Sequence, residues 1–139
     1  GYLDLAGTRA FVAALADAVA AGGGLVIDFA GAAGSILPSF TGAPRIMEAG
    51  GMTVTATGRY DAIRSHIAST YRFVRGSDDL TATALHHAHT VAQIDALLTD
   101  AGFGDIAHFA GTDGAPFTLR ARRLLLTCRR RSGSAPPPA

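Results

Sequence analysis

The chain has 139 residues, which at roughly 150 residues per domain is one domain with no spare length. Twelve basic and eleven acidic side chains give a formal charge of +1, a near-balance that argues against a nucleic-acid binder, which usually carries a basic stripe. Hydrophobic residues make up 48% and charged ones 17%, so the chain is not broadly disordered, and one cysteine, Cys128, excludes an internal disulfide or a multi-cysteine metal site. All the cations are Arg, and aspartate outnumbers glutamate ten to one; with the Ala and Gly load this reads as base-composition bias. Residue 1 is Gly, so a processed or partial chain is expected. The apolar stretch 10–31 is broken by Asp17 and Asp28, whereas a membrane span needs about 20 mostly apolar residues. A cytoplasmic protein with no membrane or nucleic-acid partner is expected.

In chain order, Phe11, Leu15 and Val19 recur every four residues and predict an amphipathic helix over 8–21. Thr8 is its expected N-cap and Gly22-Gly23-Gly24 its stop. Glycines after a helix and before a strand stand in the wrong order for a phosphate cradle. Leu25 to Phe29 is a short apolar run that predicts a strand buried on both faces. Residues 30–51 read as a long Gly/Ala/Ser/Pro linker containing a short packed or helical piece.

Three alternating runs follow, built on Met52-Val54-Ala56, Ile67-Ser69-Tyr71-Phe73 and Leu80-Ala82-Ala84-His86. With turn chemistry at 58–61 and 76–79 they predict an antiparallel three-stranded meander over 52–88. Thr90 then caps a helix buried through Val91, Ile94, Leu97, Leu98 and Ala101 and ended by Gly102. Strands are expected at 105–110 and 119–129, and the basic, Pro-rich end 131–139 is expected to be a disordered tail.

Few residues point to chemistry by themselves. Asp28 lies near the carboxyl end of a strand, where ligands gather in open α/β sheets; capping the next loop is the equally weighted reading. His86, His87 and His89 sit close together, and two of them would share a strand face. Zinc normally needs a third protein ligand, so no metal is expected and polar strand positions are the stronger reading. No serine stands in a nucleophile elbow.

Several segments together resemble the carboxyl-terminal half of a class I S-adenosylmethionine-dependent methyltransferase. Gly1-Tyr2-Leu3-Asp4 is similar to the Gly-Tyr-aromatic-Asp loop after the fourth strand in one branch. Residues 18–28 resemble the "leucine, Lys-Pro-Gly-Gly, apolar strand, Asp" block, with Ala20-Ala21 in place of Lys-Pro. Residues 90–103 resemble the block of threonine, helix, Leu-Leu and Ala-Gly-Phe, and 112–117 with 122–126 resemble the closing hairpin.

The resemblance implies an α/β fold: the carboxyl-terminal half of a Rossmann-like sheet over 1–130, with 52–88 as an inserted substrate-side cap. Its final strand would run antiparallel beside the strand at 25–29. It implies S-adenosylmethionine as the cofactor of a complete enzyme that methylates a small molecule. It also implies that the cofactor's main binding half lies outside these residues, since no Gly-x-Gly turn follows a strand here. The chain alone is then expected to be inactive, and its open sheet edge to pair with the other half or with itself. Tyr2 is implied as the catalytic and cofactor-facing residue, with Asp28 as a second catalytic candidate. Arg45, Tyr60, Tyr71 and His87 are the candidates for the substrate side; for the aromatics, packing in the cap is the competing role. The alternative from a different class is a non-catalytic remnant, or small-ligand module, that uses the antiparallel cap as its surface.

Overall fold

The computed structural model describes residues 1–30 and 32–132. Its elements are α1 (Leu5–Ala18), β1 (Gly24–Phe29), α2 (Ala33–Ile36), a 3-10 turn (Leu37–Ser39), β2 (Arg45–Ala49), β3 (Met52–Asp61), β4 (His66–Arg75), β5 (Asp78–His87), α3 (Val91–Asp100), β6 (Phe103–Phe109) and β7 (Leu124–Arg130). They build two separate sheets: one of order β1-β7-β6, the other of order β2-β3-β4-β5.

In the first sheet β7 is antiparallel to both neighbours, so β1 and β6 run parallel to each other. This is the arrangement expected for strands 25–29, 105–110 and 119–129. Leu124, Leu126 and Cys128 alternate along β7 and are buried against Ile94, Leu97 and Leu98 of α3 and Val12 and Ala16 of α1. Phe103, at the start of β6, is fully buried in the same core.

Local chemistry sets the helix ends. At α3, Thr90 Oγ1 accepts from the Gln93 amide at 3.2 Å and Gln93 Oε1 accepts from the Thr90 amide at 2.9 Å, so each satisfies an orphan donor of the other. Gly102 then turns the chain at φ +88°. Helix α1 starts three residues before the expected position, because the Asp4 carboxylate accepts from the Gly7 amide at 2.7 Å and is the cap. Thr8 lies inside the helix, and its hydroxyl is used across the fold, 3.2 Å from His89 Nε2. The helix also ends earlier, at Ala18, with Val19 already extended. Its buried residues are Val12 and Ala16, whereas Phe11, expected in the core, is 50% exposed.

Strand β1 corrects another expectation. It is not buried on both faces but alternates, with Leu25, Ile27 and Phe29 against the helices and Val26 exposed. Among the described residues, only one face of this sheet is covered by helices, and β1 is an edge.

The second sheet has four strands rather than three, because the linker 30–51 contains β2, paired antiparallel with β3. The expected turn at 58–61 is strand instead. Gly58 serves close approach: a Cβ there would lie 3.1 Å from the Phe40 ring. The chain turns after Asp61, whose carboxylate accepts from the amides of Ile63 and Arg64 at 3.0 Å each. The next turn is shorter than expected, at Gly76-Ser77 alone. Strand β6 begins at 103 and carries a bulge between Gly104 and Ala107, with Asp105 at φ +51°. Strand β7 starts only at 124, because the preceding segment folds back: Pro116 bridges Phe109, and Leu119 stands exposed. The expected tail lies, from residue 133 onward, outside the described residues.

Candidate functional site

Register puts every second residue of β2–β5 on one face. Arg45 lies opposite Ala56, Ala56 opposite Tyr71, Gly58 opposite Ser69, and Ile67 opposite His86. The other face is rich in threonine, with Thr55, Thr57, Thr70, Thr81 and Thr83, and carries the Arg72–Asp79 ion pair. It is a solvated surface.

The first face walls a cleft of about 800 Å³. Its other walls come from the end of β1 (Phe29), the 34–43 segment (Ser35, Ile36, Phe40), the start of the chain (Gly1, Tyr2), and the segment before β7 (Arg120, Arg122). The segment joining β1 to β2 is drawn in by three contacts. The Ala33 amide donates to His89 O at 2.8 Å, the Arg120 amide donates to Gly34 O at 2.8 Å, and Gly42, at φ +68°, lies so close that a Cβ there would meet Gly58 O at 2.8 Å.

Three of the candidate residues, Tyr2, Arg45 and Tyr71, line this cleft. Tyr2 is 76% exposed, and its ring packs against His86 with ring centroids 4.8 Å apart. Tyr71 stacks on Phe73 at 6.2 Å. Tyr60 lies behind Phe40, edge-on at 6.4 Å, and is not part of the wall. Asp28 points away from the cleft, pairing with Arg123 at 2.6 Å.

His87 also falls outside the lining, and the histidine in the cleft is its neighbour His86. Strand parity decides this: His86 shares the face of Leu80, Ala82 and Ala84, while His87 faces His66 on the opposite side at 5.7 Å. The alternating run ending at His86 carried that signal in the sequence. Burial pushes the His86 imidazole below its ordinary value near 6.5, and burial followed by the neighbouring His66 lowers His87. His89 is buried between Thr8 and the Leu3 carbonyl, each 3.2 Å from its Nε2. Among the described residues no group of three metal-ligating side chains comes together.

Ser35, Arg120 and Arg122 are cleft residues that sequence reasoning missed, since they sit in segments read as loop and strand. The lining residues include no carboxylate. Cys128 is buried in the core, where burial raises its thiol above the ordinary range.

No protein-family model matches the chain, and no curated protein sequence does. Solved structures do. The CcbJ methyltransferase from Streptomyces caelestis superposes with a TM-score of 0.73 at 12% identity, over 94% of this chain and 52% of its own. The sugar N-methyltransferase KedS8 from Streptoalloteichus sp. ATCC 53650 gives 0.58 at 24% identity, over 94% and 51%. CalS10 from Micromonospora echinaspora, an amino pentose methyltransferase of calicheamicin biosynthesis solved with S-adenosylmethionine bound, gives 0.57 at 20% identity, over 92% and 52%. The described residues therefore carry the fold of half a class I S-adenosylmethionine-dependent methyltransferase. The chain spans about half the length of these structures. No helix is long and apolar enough to cross a membrane among the described residues.

Proposed function

We propose that this chain is the acceptor-side half of an S-adenosylmethionine-dependent methyltransferase acting on a small molecule, with 52–88 as its substrate cap. The observation that carries this reading is the methyltransferase-like fold over 94% of the chain, matched to 52% of the CcbJ methyltransferase chain. The small-molecule acceptor is supported by the names of two neighbours, a sugar and an amino pentose methyltransferase, and by a cleft within the usual volume of ligand sites.

In this reading the cofactor's main cradle lies outside these residues. Strand β1 leads into the segment before α2 without a Gly-x-Gly turn, and the cleft lining offers no carboxylate to hold ribose hydroxyls. When bound in the complete enzyme, the cofactor supplies a methyl group already activated by its sulfonium. What remains for this chain is to bind and align the acceptor and to receive a proton where the acceptor must lose one. Tyr2, at the cleft wall and within the Gly1–Asp4 segment that resembles the post-strand-four loop, aligns the acceptor. In this reading His86, whose imidazole burial pushes below its ordinary value and whose ring packs against Tyr2, takes that proton. Asp28 is held by Arg123 and His87 faces away, so neither has a part in this reading.

The reading is tested by the reading frame upstream of Gly1 and by its product. A continuous frame encoding a strand followed by a glycine-rich turn is expected, and the extended protein should transfer a radiolabelled methyl group from S-adenosylmethionine. A start codon immediately upstream, or an extended protein unable to bind the cofactor, contradicts it and favours the ligand-binding remnant.

A further inference from the structure

We infer that His89 is the positioning residue for Tyr2: its Nε2–H holds the Leu3 carbonyl and so fixes how Tyr2 is presented to the cleft. The inference rests on Tyr2 aligning the acceptor, as proposed above, and names what keeps that residue in place.

Tyr2 is not held by its own burial. It is 76% exposed, and the stabilisation a side chain gains scales with the apolar area it removes from water. Its main chain is fastened on both sides instead. Before it, the Gly1 nitrogen donates to His87 O and the His87 amide donates to Gly1 O, each at 2.6 Å, the exchange made by an antiparallel hydrogen-bonded pair. After it, the Leu3 carbonyl lies 3.2 Å from His89 Nε2. With its two neighbours tied down, Tyr2 rests against His86, ring centroids 4.8 Å apart.

His89 is anchored more firmly than the segment it holds. It is buried, its carbonyl accepts from the Ala33 amide at 2.8 Å, and it bridges Ala32 in parallel. Its neighbours are held too: the Ala88 amide donates to Ser65 O at 2.8 Å, and Thr90 caps α3. The His87 ring stacks nearly parallel on the His89 ring, centroids 6.3 Å apart. A carbonyl oxygen only accepts, so the Leu3 contact requires the hydrogen on Nε2. The Thr8 hydroxyl is also 3.2 Å from Nε2 and lies 3.4 Å from Leu3 O, to which it donates. This polar cluster ties α1, the start of the chain and the segment after β5 together. His89 itself does not line the cleft, so any effect it has on an acceptor passes through Tyr2.

Nuclear magnetic resonance of the 139-residue chain tests this in two ways. Nitrogen-15 shifts of the unsubstituted protein at about pH 8 should show His89 as the tautomer protonated at Nε2; protonation at Nδ1 alone overturns the inference. The nuclear Overhauser contact between the Tyr2 and His86 rings should persist in His89→Gln, whose amide reaches the place of Nε2. It should be lost in His89→Asn, whose amide is one bond too short, and in His89→Phe, which keeps a flat ring without the donor. A contact as strong in the Asn and Phe variants as in the unsubstituted chain overturns the inference, and so does its loss in all three. If a variant does not fold, the tautomer and the remaining variants decide. In the extended enzyme His89→Asn should lower kcat at least tenfold, within the roughly hundredfold cost of a small misplacement, and His89→Gln should restore it. In a Tyr2→Ala background His89→Asn should have no further effect; an equal loss there would show a merely structural role. The resonance experiments use no methyl donor, so failure of methyl transfer leaves the hold on Tyr2 standing, whereas a fully active enzyme with His89→Asn contradicts this inference alone.

Discussion

Single residues carry the chemistry, and their expected behaviour follows from where they sit. In the extended enzyme Tyr2→Ala should lower turnover more than His87→Ala, because Tyr2 lines the cleft and His87 does not. Equal losses in steady-state assays would contradict the placement. The imidazoles of His86 and His87 are held below 6.5 when folded. As pH falls below 6.5 the unfolded chain takes up protons first, so stability is complete above that value and declines toward the lowered folded values. The urea midpoint should therefore drop between about pH 7.5 and 5.5, and the double variant H86Q/H87Q should drop less. A midpoint equally pH-dependent in both proteins would contradict the assignment. Strand parity made the histidine assignment possible from sequence, since Leu80, Ala82, Ala84 and His86 alternate. Choosing His87 overlooked that alternation. Asp28 misled for a different reason: strand-end position says nothing about a partner, and Arg123 lies 95 positions away in the chain.

At the scale of elements, legibility followed how local the cause was. Helix α3 was readable to within a residue because its cap, its apolar stripe and its terminating glycine lie within 13 residues of one another. Thr90→Ala should cost about 1 kcal/mol by removing half of the reciprocal cap, read as a lower urea midpoint; an unchanged midpoint would contradict the capping geometry. Helix α1 was misjudged because two capping residues compete and Asp4 wins. Its core face was misassigned to Phe11 because Ala residues at helical spacing look neutral, yet Val12 and Ala16 are the helix residues buried in the core. Strand β2 was invisible for a tertiary reason. Arg45-Ile46-Met47-Glu48-Ala49 has no buried residue, so burial left no alternation to find, and pairing with β3 makes the strand. Gly58 was read as a turn because glycine usually is one; here it admits the Phe40 ring. Such close approach is a property of two distant segments and leaves no local mark.

For the whole molecule, two sheets meet at a cleft and one of them has an uncovered face and an open edge at β1. An apolar strand edge invites pairing. Sedimentation of residues 1–139 should show concentration-dependent self-association, relieved when the upstream half is present; a monomer at all concentrations would contradict the open-edge account. The proposed function divides the labour across the fold: it gives the acceptor cleft to these residues and the cofactor cradle to an upstream half. Calorimetric titration of S-adenosylmethionine tests it most directly, because affinity for that cofactor comes from a few placed polar groups and burial of its adenine. Residues 1–139 alone should give no saturable heat in the micromolar range, and the chain joined to its upstream half should bind. Micromolar binding by residues 1–139 alone would contradict the account.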